Sequence, residues 1–171
     1  KATDEQIQVI IEKVKTAKRP VLIFGNGIHI ADCVDLARKV AEKLKVPVTV
    51  AYDSTDLMPT ENQFYVGQGG LLGDRAGNWA IQNADLVLSI GCRLSCRQVG
   101  YNVHSWAREA FVIMVDIDKY ELQKPSIHVE MPIQADAKDF LEKLDESLSN
   151  DLEPHKEWLD ICQNWRKNIQ L

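Results

Sequence analysis

One stretch of sequence decides the fold: Ala84-Asp-Leu-Val-Leu-Ser-Ile-Gly-Cys-Arg-Leu-Ser-Cys-Arg97. Its apolar run from Leu86 to Ile90 lacks a helical period and has the length of a strand that is covered on both faces. Gly91 then permits a sharp turn or the close approach of a ligand, and two arginines follow it. Parallel sheets bind ligands at the carboxyl ends of their strands, so the stretch predicts such a sheet with a ligand site at that edge.

The segments on either side repeat this pattern. Two of them are buried-type strands that end in glycine or acidic residues: Pro20-Val-Leu-Ile-Phe-Gly-Asn-Gly27 and Phe111-Val-Ile-Met-Val-Asp-Ile-Asp118. Residues 47–51 are short, apolar and β-branched, and residues 127–133 are predicted to be a last strand with one exposed face. We therefore expect several parallel strands whose ends meet at one edge.

The segments between these strands show the apolar periodicity of helices. Apolar residues recur at three- and four-residue spacing over residues 4–18, 30–44 and 137–148, and residues 77–83 look like a short helix with Trp79 near the core. Residues 52–73 are rich in glycine and are predicted to be one long functional loop. Strands that alternate with helices predict an α/β fold of three layers, with a parallel sheet covered by helices on both faces.

Composition excludes several classes of partner. The chain has 171 residues, enough for one domain, and a net charge of −5 without a clustered basic face, which argues against nucleic acid and anionic membranes. No apolar run is long enough to span a membrane, and the chain begins at Lys1, so we expect an excised fragment of a cytoplasmic protein. The cysteines show no metal-binding spacing and are expected to be reduced thiols: Cys33, Cys92, Cys96 and Cys162.

The glycines after the first strand are the first candidate for chemistry. Gly25-Asn26-Gly27 stands between a strand and a helix, where a nucleotide phosphate could sit on backbone amides. The third glycine of the dinucleotide fingerprint is missing, so a simple turn is an equal alternative. Residues 67–73 are glycine-rich but lack the Lys-Ser/Thr ending of a nucleoside-triphosphate loop, which favours a flexible crossover.

Charged residues at the strand ends are the second candidate. Arg93 and Arg97 could hold phosphates through forked hydrogen bonds, or could pair with Asp116 or Asp118 as structural ion pairs. The two acids could accept from ribose hydroxyls, but alternate strand residues face opposite ways, which argues against a catalytic pair. The residues therefore predict a nucleotide-type cleft without a catalytic group.

The order and spacing of the segments is the most specific feature of the chain. Together they resemble the central domain of thiamine-diphosphate-dependent enzymes of the acetolactate synthase type, over residues 3–148. The resemblance is carried by Arg19-Pro-Val-Leu-Ile-Phe-Gly-Asn-Gly27, Val46-Pro-Val-Thr-Val50, Gly70-Leu-Leu-Gly73, Asn83-Ala-Asp-Leu-Val-Leu-Ser-Ile-Gly-Cys-Arg93, Val115-Asp-Ile-Asp118 and Ala135-Asp136.

The resemblance implies a Rossmann-like sheet of six parallel strands that in some members holds FAD or ADP. This chain departs from the flavin-binding pattern at Asn26, Leu72, Ser95 with Cys96, and Ala135, so the loss of the nucleotide is the alternative. The cofactor positions that the resemblance implies are Gly25, Asn26, Gly27, Gly70, Leu71, Leu72, Gly73, Gly91, Cys92, Arg93, Ser95, Arg97, Asp116, Ile117, Asp118, Ala135 and Asp136.

The resemblance also implies a larger parent enzyme. Thiamine diphosphate and Mg²⁺ would bind between a pyrimidine-binding domain before this chain and a pyrophosphate-binding domain after it, so residues 1–148 would be a non-catalytic central domain. Residues 149–171 would be a linker helix, and the parent would decarboxylate pyruvate, join the product to a second carbonyl, and form a homo-oligomer, a dimer or a tetramer. The alternative is a free-standing nucleotide-, NAD- or FAD-binding module with a Rossmann-like fold.

Overall fold

The structure is a computed structural model that describes residues 1–169 and contains one parallel sheet. Its strands are β1 (Pro20–Phe24), β2 (Val48–Val50), β3 (Tyr65–Gln68), β4 (Leu86–Ile90), β5 (Phe111–Asp116) and β6 (Met131–Gln134). The sheet has six strands in the order β3-β2-β1-β4-β5-β6, and every neighbouring pair is parallel. The predicted α/β fold is confirmed.

Helices flank the sheet on both faces. They are α1 (Asp4–Thr16), α2 (Gly27–Ile30), α3 (Val34–Leu44), α4 (Arg75–Gln82), α5 (Cys96–Val99), α6 (Lys119–Gln123), α7 (Ala137–Ser147) and α8 (Lys156–Asn168). Local sequence fixes the N-terminus of α1. The Thr3 side chain accepts from the backbone N–H of Gln6, and the Gln6 side chain accepts from the backbone N–H of Thr3. This reciprocal cap satisfies donors that a helix start otherwise leaves unpaired.

The two inner strands β1 and β4 hold the centre of the sheet. Every residue in both is buried, as expected where helices cover the two faces, and Leu22 lies opposite Leu88 across the pair. The chain runs from β1 to β2 on one side and from β4 to β5 on the other. The strand order therefore reverses between β1 and β4, and a crevice opens at such a point beyond the carboxyl ends of the strands.

One side of the sheet, which we call the aliphatic face, is covered by α1, α3 and α7. Its core is almost free of polar side-chain atoms and includes Ile10, Val40 and Phe140, each fully buried against Leu22 and Leu88 of the strands or their neighbours. Burial of such side chains supplies the main stabilising term of folding.

The opposite side, which we call the tryptophan face, is covered by α4, α8 and the segment 94–110. Trp158 donates from its indole nitrogen to the carbonyl oxygen of Pro20 at 3.1 Å, which fixes α8 against β1. Trp165 lies edge-on to both Trp158 and Trp79, with ring centroids 5.7 and 5.6 Å away. Residues 156–168, part of the segment predicted to be a linker, thus pack on α4 and β3.

The prediction of one unbroken loop over residues 52–73 is wrong, because β3 lies inside it. A strand of four residues that contains Gly67 and ends in polar Gln68 gives no local β signal. Tertiary contacts define it: β3 pairs with β2, and its outer carbonyl at Tyr65 accepts hydrogen bonds from Gln163 and Arg166 of α8.

The predicted helix over residues 30–44 is divided in two. Asp32 adopts φ +50 between α2 and α3, a left-handed conformation that ends one helix before the next begins. The prediction that Trp79 lies near the core is also wrong, since its side chain is 40% exposed on α4. The last strand is shorter than predicted and covers Met131–Gln134. Among residues 1–169 no helix is long and apolar enough to cross a membrane.

Candidate functional site

A cleft of about 600 Å³ lies at the carboxyl ends of β1, β4 and β5, where the strand order reverses. This volume is within the range of small-molecule sites. The cleft brings together most of the predicted positions: Gly25, Asn26, Gly27, Gly91, Cys92, Arg93, Ser95, Asp116, Ile117, Asp118, Ala135 and Asp136.

Other lining residues were not found from the sequence. Asp53 follows β2, Gln98 lies on α5, and Glu121 lies on α6. Each stands in a short polar segment without periodicity, where only the sheet order shows that it reaches the strand ends. The position of Asp53 after a buried strand is the one signal that could have identified it.

The remaining predicted positions lie beside the cleft and do not line it. Gly70 exchanges two hydrogen bonds of 2.9 Å with the side chain of Asn78, and the backbone N–H of Leu71 donates to the carbonyl of Arg97 at 2.7 Å. The Arg97 guanidinium donates to the Tyr52 hydroxyl at 3.0 Å and lies over that ring. Leu72, 76% exposed, and Gly73 complete this turn outside the cleft.

The glycines at the cleft floor are required by close backbone contact. A Cβ added to Gly25 would lie 2.5 Å from the carbonyl oxygen of Gly91, and one added to Gly27 would lie 2.7 Å from the Gly91 Cα. The same contact consumes the amides: Gly25 donates to Ile90, Gly27 donates to Gly91, and Ile28 donates to the carbonyl of Gly25. These N–H groups are therefore not free to bind a phosphate, which favours the simple-turn alternative for Gly25 and Gly27.

The chain's own carboxylates cap two of the helices that begin at this edge, α6 and α7. Asp118 accepts from the backbone N–H of Tyr120 at the start of α6, and Asp136 accepts from those of Lys138 and Asp139 at the start of α7. Asp74 caps α4 in the same way, outside the cleft. The positive ends of these helices are thus already satisfied by negative side chains.

Arg93, the cationic side chain that lines the cleft, is engaged by an acid. Its guanidinium lies 2.8 Å from Glu121, and Lys124 contacts the other oxygen of that carboxylate at 3.0 Å. Burial works to raise the pKa of Glu121, but the hydrogen bonds and charges of Lys124 and Arg93 outweigh it and hold that pKa below its ordinary value. Lys124 also donates to the backbone carbonyls of Arg93 and Leu94, which fixes this side of the cleft.

The rest of the cleft is acidic. Burial raises the pKa of Asp116 above its ordinary value, and the nearby carboxylates of Glu121 and Asp118 add to the rise. The lining contains one arginine against a set of carboxylates, which are Asp53, Asp116, Asp118, Glu121 and Asp136. These carboxylates would repel a diphosphate, and the amides of Gly25 and Gly27 and the guanidinium of Arg93 are already engaged, so these groups do not favour a diphosphate.

Gln98 is the exception among the buried polar groups of the cleft. Its side chain is 4% exposed, it lines the cleft, and neither its amide nitrogen nor its amide oxygen has a hydrogen-bond partner. An unpaired buried polar group costs about 1–3 kcal/mol. Within residues 1–169 no cluster of three His, Cys, Asp or Glu side chains is arranged to hold a metal ion.

A parallel α/β sheet with a cleft at the reversal of strand order defines a nucleotide-type domain. Residues 7–144 match the family model described as "Thiamine pyrophosphate enzyme, central domain", which covers more than half of the chain. The chain belongs to this family of central domains, and the resemblance found in the sequence is confirmed.

The chain is similar to acetolactate synthase large subunits from several organisms. It is 35% identical to the acetolactate synthase large subunit of Lactococcus lactis over 84% of this chain and 25% of that protein. It is 32% identical to the acetolactate synthase isozyme 1 large subunit of Escherichia coli over 98% of this chain and 29% of that protein. A probable large subunit from Methanococcus aeolicus is 28% identical over 95% of the chain. The chain thus spans between a quarter and a third of the length of these relatives.

Proposed function

We propose that this chain serves as the central, non-catalytic domain of an acetolactate synthase-like enzyme. The whole enzyme would decarboxylate a 2-keto acid, pyruvate, and join the product to a second carbonyl. The observation that carries the proposal is the match of residues 7–144 to the thiamine pyrophosphate central-domain family, together with acetolactate synthase large subunits that align over most of the chain. The comparisons favour this function over a free-standing nucleotide-binding module.

The cofactors of the proposed enzyme lie outside these residues. Thiamine diphosphate supplies a stabilised carbanion when it is bound, and it would sit with Mg²⁺ between a pyrimidine-binding and a pyrophosphate-binding domain of the parent chain. What supports a scaffold role for residues 1–148 is the cleft itself, where Arg93 is held in a salt bridge and Asp118 and Asp136 are held as helix caps. Its buried cysteine, Cys92, has a pKa raised to about 11 by burial and is a poor nucleophile.

The surroundings of the domain follow from the same proposal. Residues 149–171 would lead toward the pyrophosphate-binding domain, and the parent would be a homo-oligomer, a dimer or a tetramer. A cytoplasmic location is supported by the free cysteines, since oxidising compartments favour disulfides.

The test is an assay of the full-length protein with pyruvate, thiamine diphosphate and Mg²⁺. We expect release of CO₂ and formation of acetolactate, which is lost when thiamine diphosphate is left out. The 171-residue chain assayed alone under the same conditions is expected to give no product. Absence of turnover by the full-length protein with pyruvate, or turnover by the 171-residue chain alone, would contradict the proposal.

A further inference from the structure

A second cavity, which we call the edge pocket, lies between the edge strand β3, the start of α4 and the end of α8. Its volume of about 420 Å³ is within the range of small-molecule sites. Within residues 1–169 the edge pocket shares no lining residue with the cleft at the carboxyl ends of β1, β4 and β5. The proposed function gives this pocket no role.

Two arginines line the edge pocket, Arg75 and Arg166. The Arg166 guanidinium lies over the Tyr65 ring, 4.7 Å from its centroid, and donates to the backbone carbonyls of Tyr65 at 3.0 Å and Thr60 at 2.7 Å. These acceptors are uncharged and use only part of the N–H groups of a guanidinium. Among residues 1–169, no acidic side chain forms a salt bridge with Arg75 or Arg166. Their positive charge is therefore available to a ligand.

One acid limits how much negative charge the edge pocket can accept. Asp74 lines the pocket, and its two carboxylate oxygens accept from the backbone N–H groups of Gln68 at 2.8 Å and Gly77 at 2.6 Å. In the described lining, two guanidinium groups thus face one fixed carboxylate, which leaves one positive charge in excess. This balance favours a ligand with a single negative charge, since Asp74 would repel a second one. A carboxylate suits it, because arginine binds carboxylates through two parallel hydrogen bonds.

Apolar side chains form another part of the wall. Trp165 is half-buried and lies edge-on to Trp79 and Trp158, so its indole is held in place. Ala76 of α4 is buried, and half-buried Ile169 follows the end of α8. Ligand pockets typically combine such apolar walls with a few charged groups that fix orientation. A ligand of the edge pocket therefore needs an apolar body beside its anionic group.

We propose that the edge pocket binds a small monocarboxylate, whose carboxylate pairs with Arg75 and Arg166 and whose apolar body packs on Trp165. The site does not depend on the acetolactate synthase activity, because this chain alone supplies the residues that the argument uses. The competing outcome is that another part of the parent enzyme fills the pocket and leaves no room for a ligand.

The first test is calorimetric titration of the full-length protein with phenylacetate, without pyruvate or thiamine diphosphate. We expect saturation at millimolar concentration, and weaker binding of phenylacetamide, which has the same shape without the charge. Phenyl phosphate, which carries a second negative charge, should also bind more weakly. No saturation by phenylacetate, or binding of either control as tightly as phenylacetate, would overturn the proposal. The acetolactate assay on the same sample reports separately on the proposed enzyme function.

The second test places the ligand in the edge pocket. Arg75→Gln should weaken phenylacetate binding at least tenfold, because a charge-assisted hydrogen bond is lost. The melting temperature and the rate of acetolactate formation should stay unchanged, since Arg75 is exposed and forms no salt bridge within residues 1–169. Arg108→Gln, at an exposed position outside the pocket, is the matched control and should leave phenylacetate binding unchanged. Equal affinity of Arg75→Gln and Arg108→Gln for phenylacetate would overturn the proposal.

Discussion

The two faces of the sheet are built from different kinds of side chain. The aliphatic face buries large apolar residues such as Ile10 and Phe140 with few polar atoms among them. The tryptophan face carries the buried polar side chains Thr49, Ser89 and Gln98, together with smaller residues between the indoles. The comparison shows that the aliphatic face buries almost only apolar side chains, while the tryptophan face also buries polar ones and continues into the cleft. Thr49 and Ser89 donate to backbone carbonyls, and Gln98 has no hydrogen-bond partner.

The largest expected loss of stability comes from a substitution in the aliphatic face. Phe140→Ala removes a fully buried ring on α7, and we expect it to lower the free energy of unfolding by about 3–5 kcal/mol, because the cavity left behind adds to the lost burial. Urea denaturation of the 171-residue chain, followed by circular dichroism, measures the change. Lys138→Ala, at an exposed position on the same helix, should shift it by less than about 0.5 kcal/mol.

The same experiment on the tryptophan face sharpens the contrast. Trp158→Phe keeps a ring but loses the hydrogen bond to the Pro20 carbonyl, and a loss of about 1 kcal/mol is expected. A larger loss for Trp158→Phe than for Phe140→Ala would show that the aliphatic face does not dominate stability.

The next effect concerns the turn where both faces meet at the cleft. In Gly25→Ala the new Cβ would lie 2.5 Å from the Cα of Cys92, a backbone atom that cannot move independently. Overpacking of this kind costs about 1–3 kcal/mol, and thermal denaturation measures it. Asn26→Ala, whose side chain makes no capping hydrogen bond, is the neighbouring control. Equal stability of Gly25→Ala and the unsubstituted chain would rule out the close approach of the loops that follow β1 and β4.

A smaller effect comes from the ionic contacts on the outside of the aliphatic face. Asp145 of α7 lies 2.6 Å from Lys39 and 2.7 Å from Lys43 of α3. Burial acts to raise the pKa of Asp145, but the hydrogen bonds from Lys39 and Lys43 outweigh it, so that the pKa lies below its ordinary value of 3.8. Because the folded pKa is depressed, the stabilisation is present above pH 3.8 and is lost as the pH falls through the folded value.

Asp145→Asn should therefore lower the free energy of unfolding by about 1 kcal/mol at neutral pH, in line with an ionic contact near the surface. The difference in the free energy of unfolding between Asp145→Asn and the unsubstituted chain should shrink when denaturation is repeated below pH 3.8. Lys39→Gln gives an independent measure of the same contact. A difference that stays constant with pH would show that charge at Asp145 does not stabilise the packing of α3 on α7.

Chemical reactivity separates the buried cysteines of both faces from an exposed one, with no effect on stability. Burial raises the pKa of Cys33 to about 11 on the aliphatic face and that of Cys162 to about 12 on the tryptophan face. Cys92 is buried in the cleft, while Cys96 is exposed on α5. We expect iodoacetamide at pH 8 to modify Cys96 alone in the folded chain, and mass spectrometry to show further adducts only after denaturation. Rapid labelling of Cys162 in the folded chain would contradict the packing of α8.

The aliphatic face was the more predictable of the two. The stripes of α1 and α7 and the apolar runs of β1 and β4 are long enough to give clear periodicity, and the structure confirms them. On the tryptophan face, β3 is defined by pairing with β2 and by contacts from α8, so local sequence does not reveal it. Gln98 lies in a helix of four residues and is buried only by tertiary packing, which is why its place in the cleft lining had no signal in the sequence.

We expect the chain's own carboxylates to disfavour a phosphate at the cleft, because Asp118 and Asp136 already cap the helices α6 and α7 that begin there. Asp136→Asn keeps the cap of α7, because asparagine is an equally good N-cap, and removes one negative charge from the cleft. Asp74→Asn makes the same change at α4, outside the cleft. Titration of the full-length protein with ADP should show several-fold tighter binding for Asp136→Asn and none of this gain for Asp74→Asn. Unchanged or weaker ADP binding in Asp136→Asn would contradict this expectation.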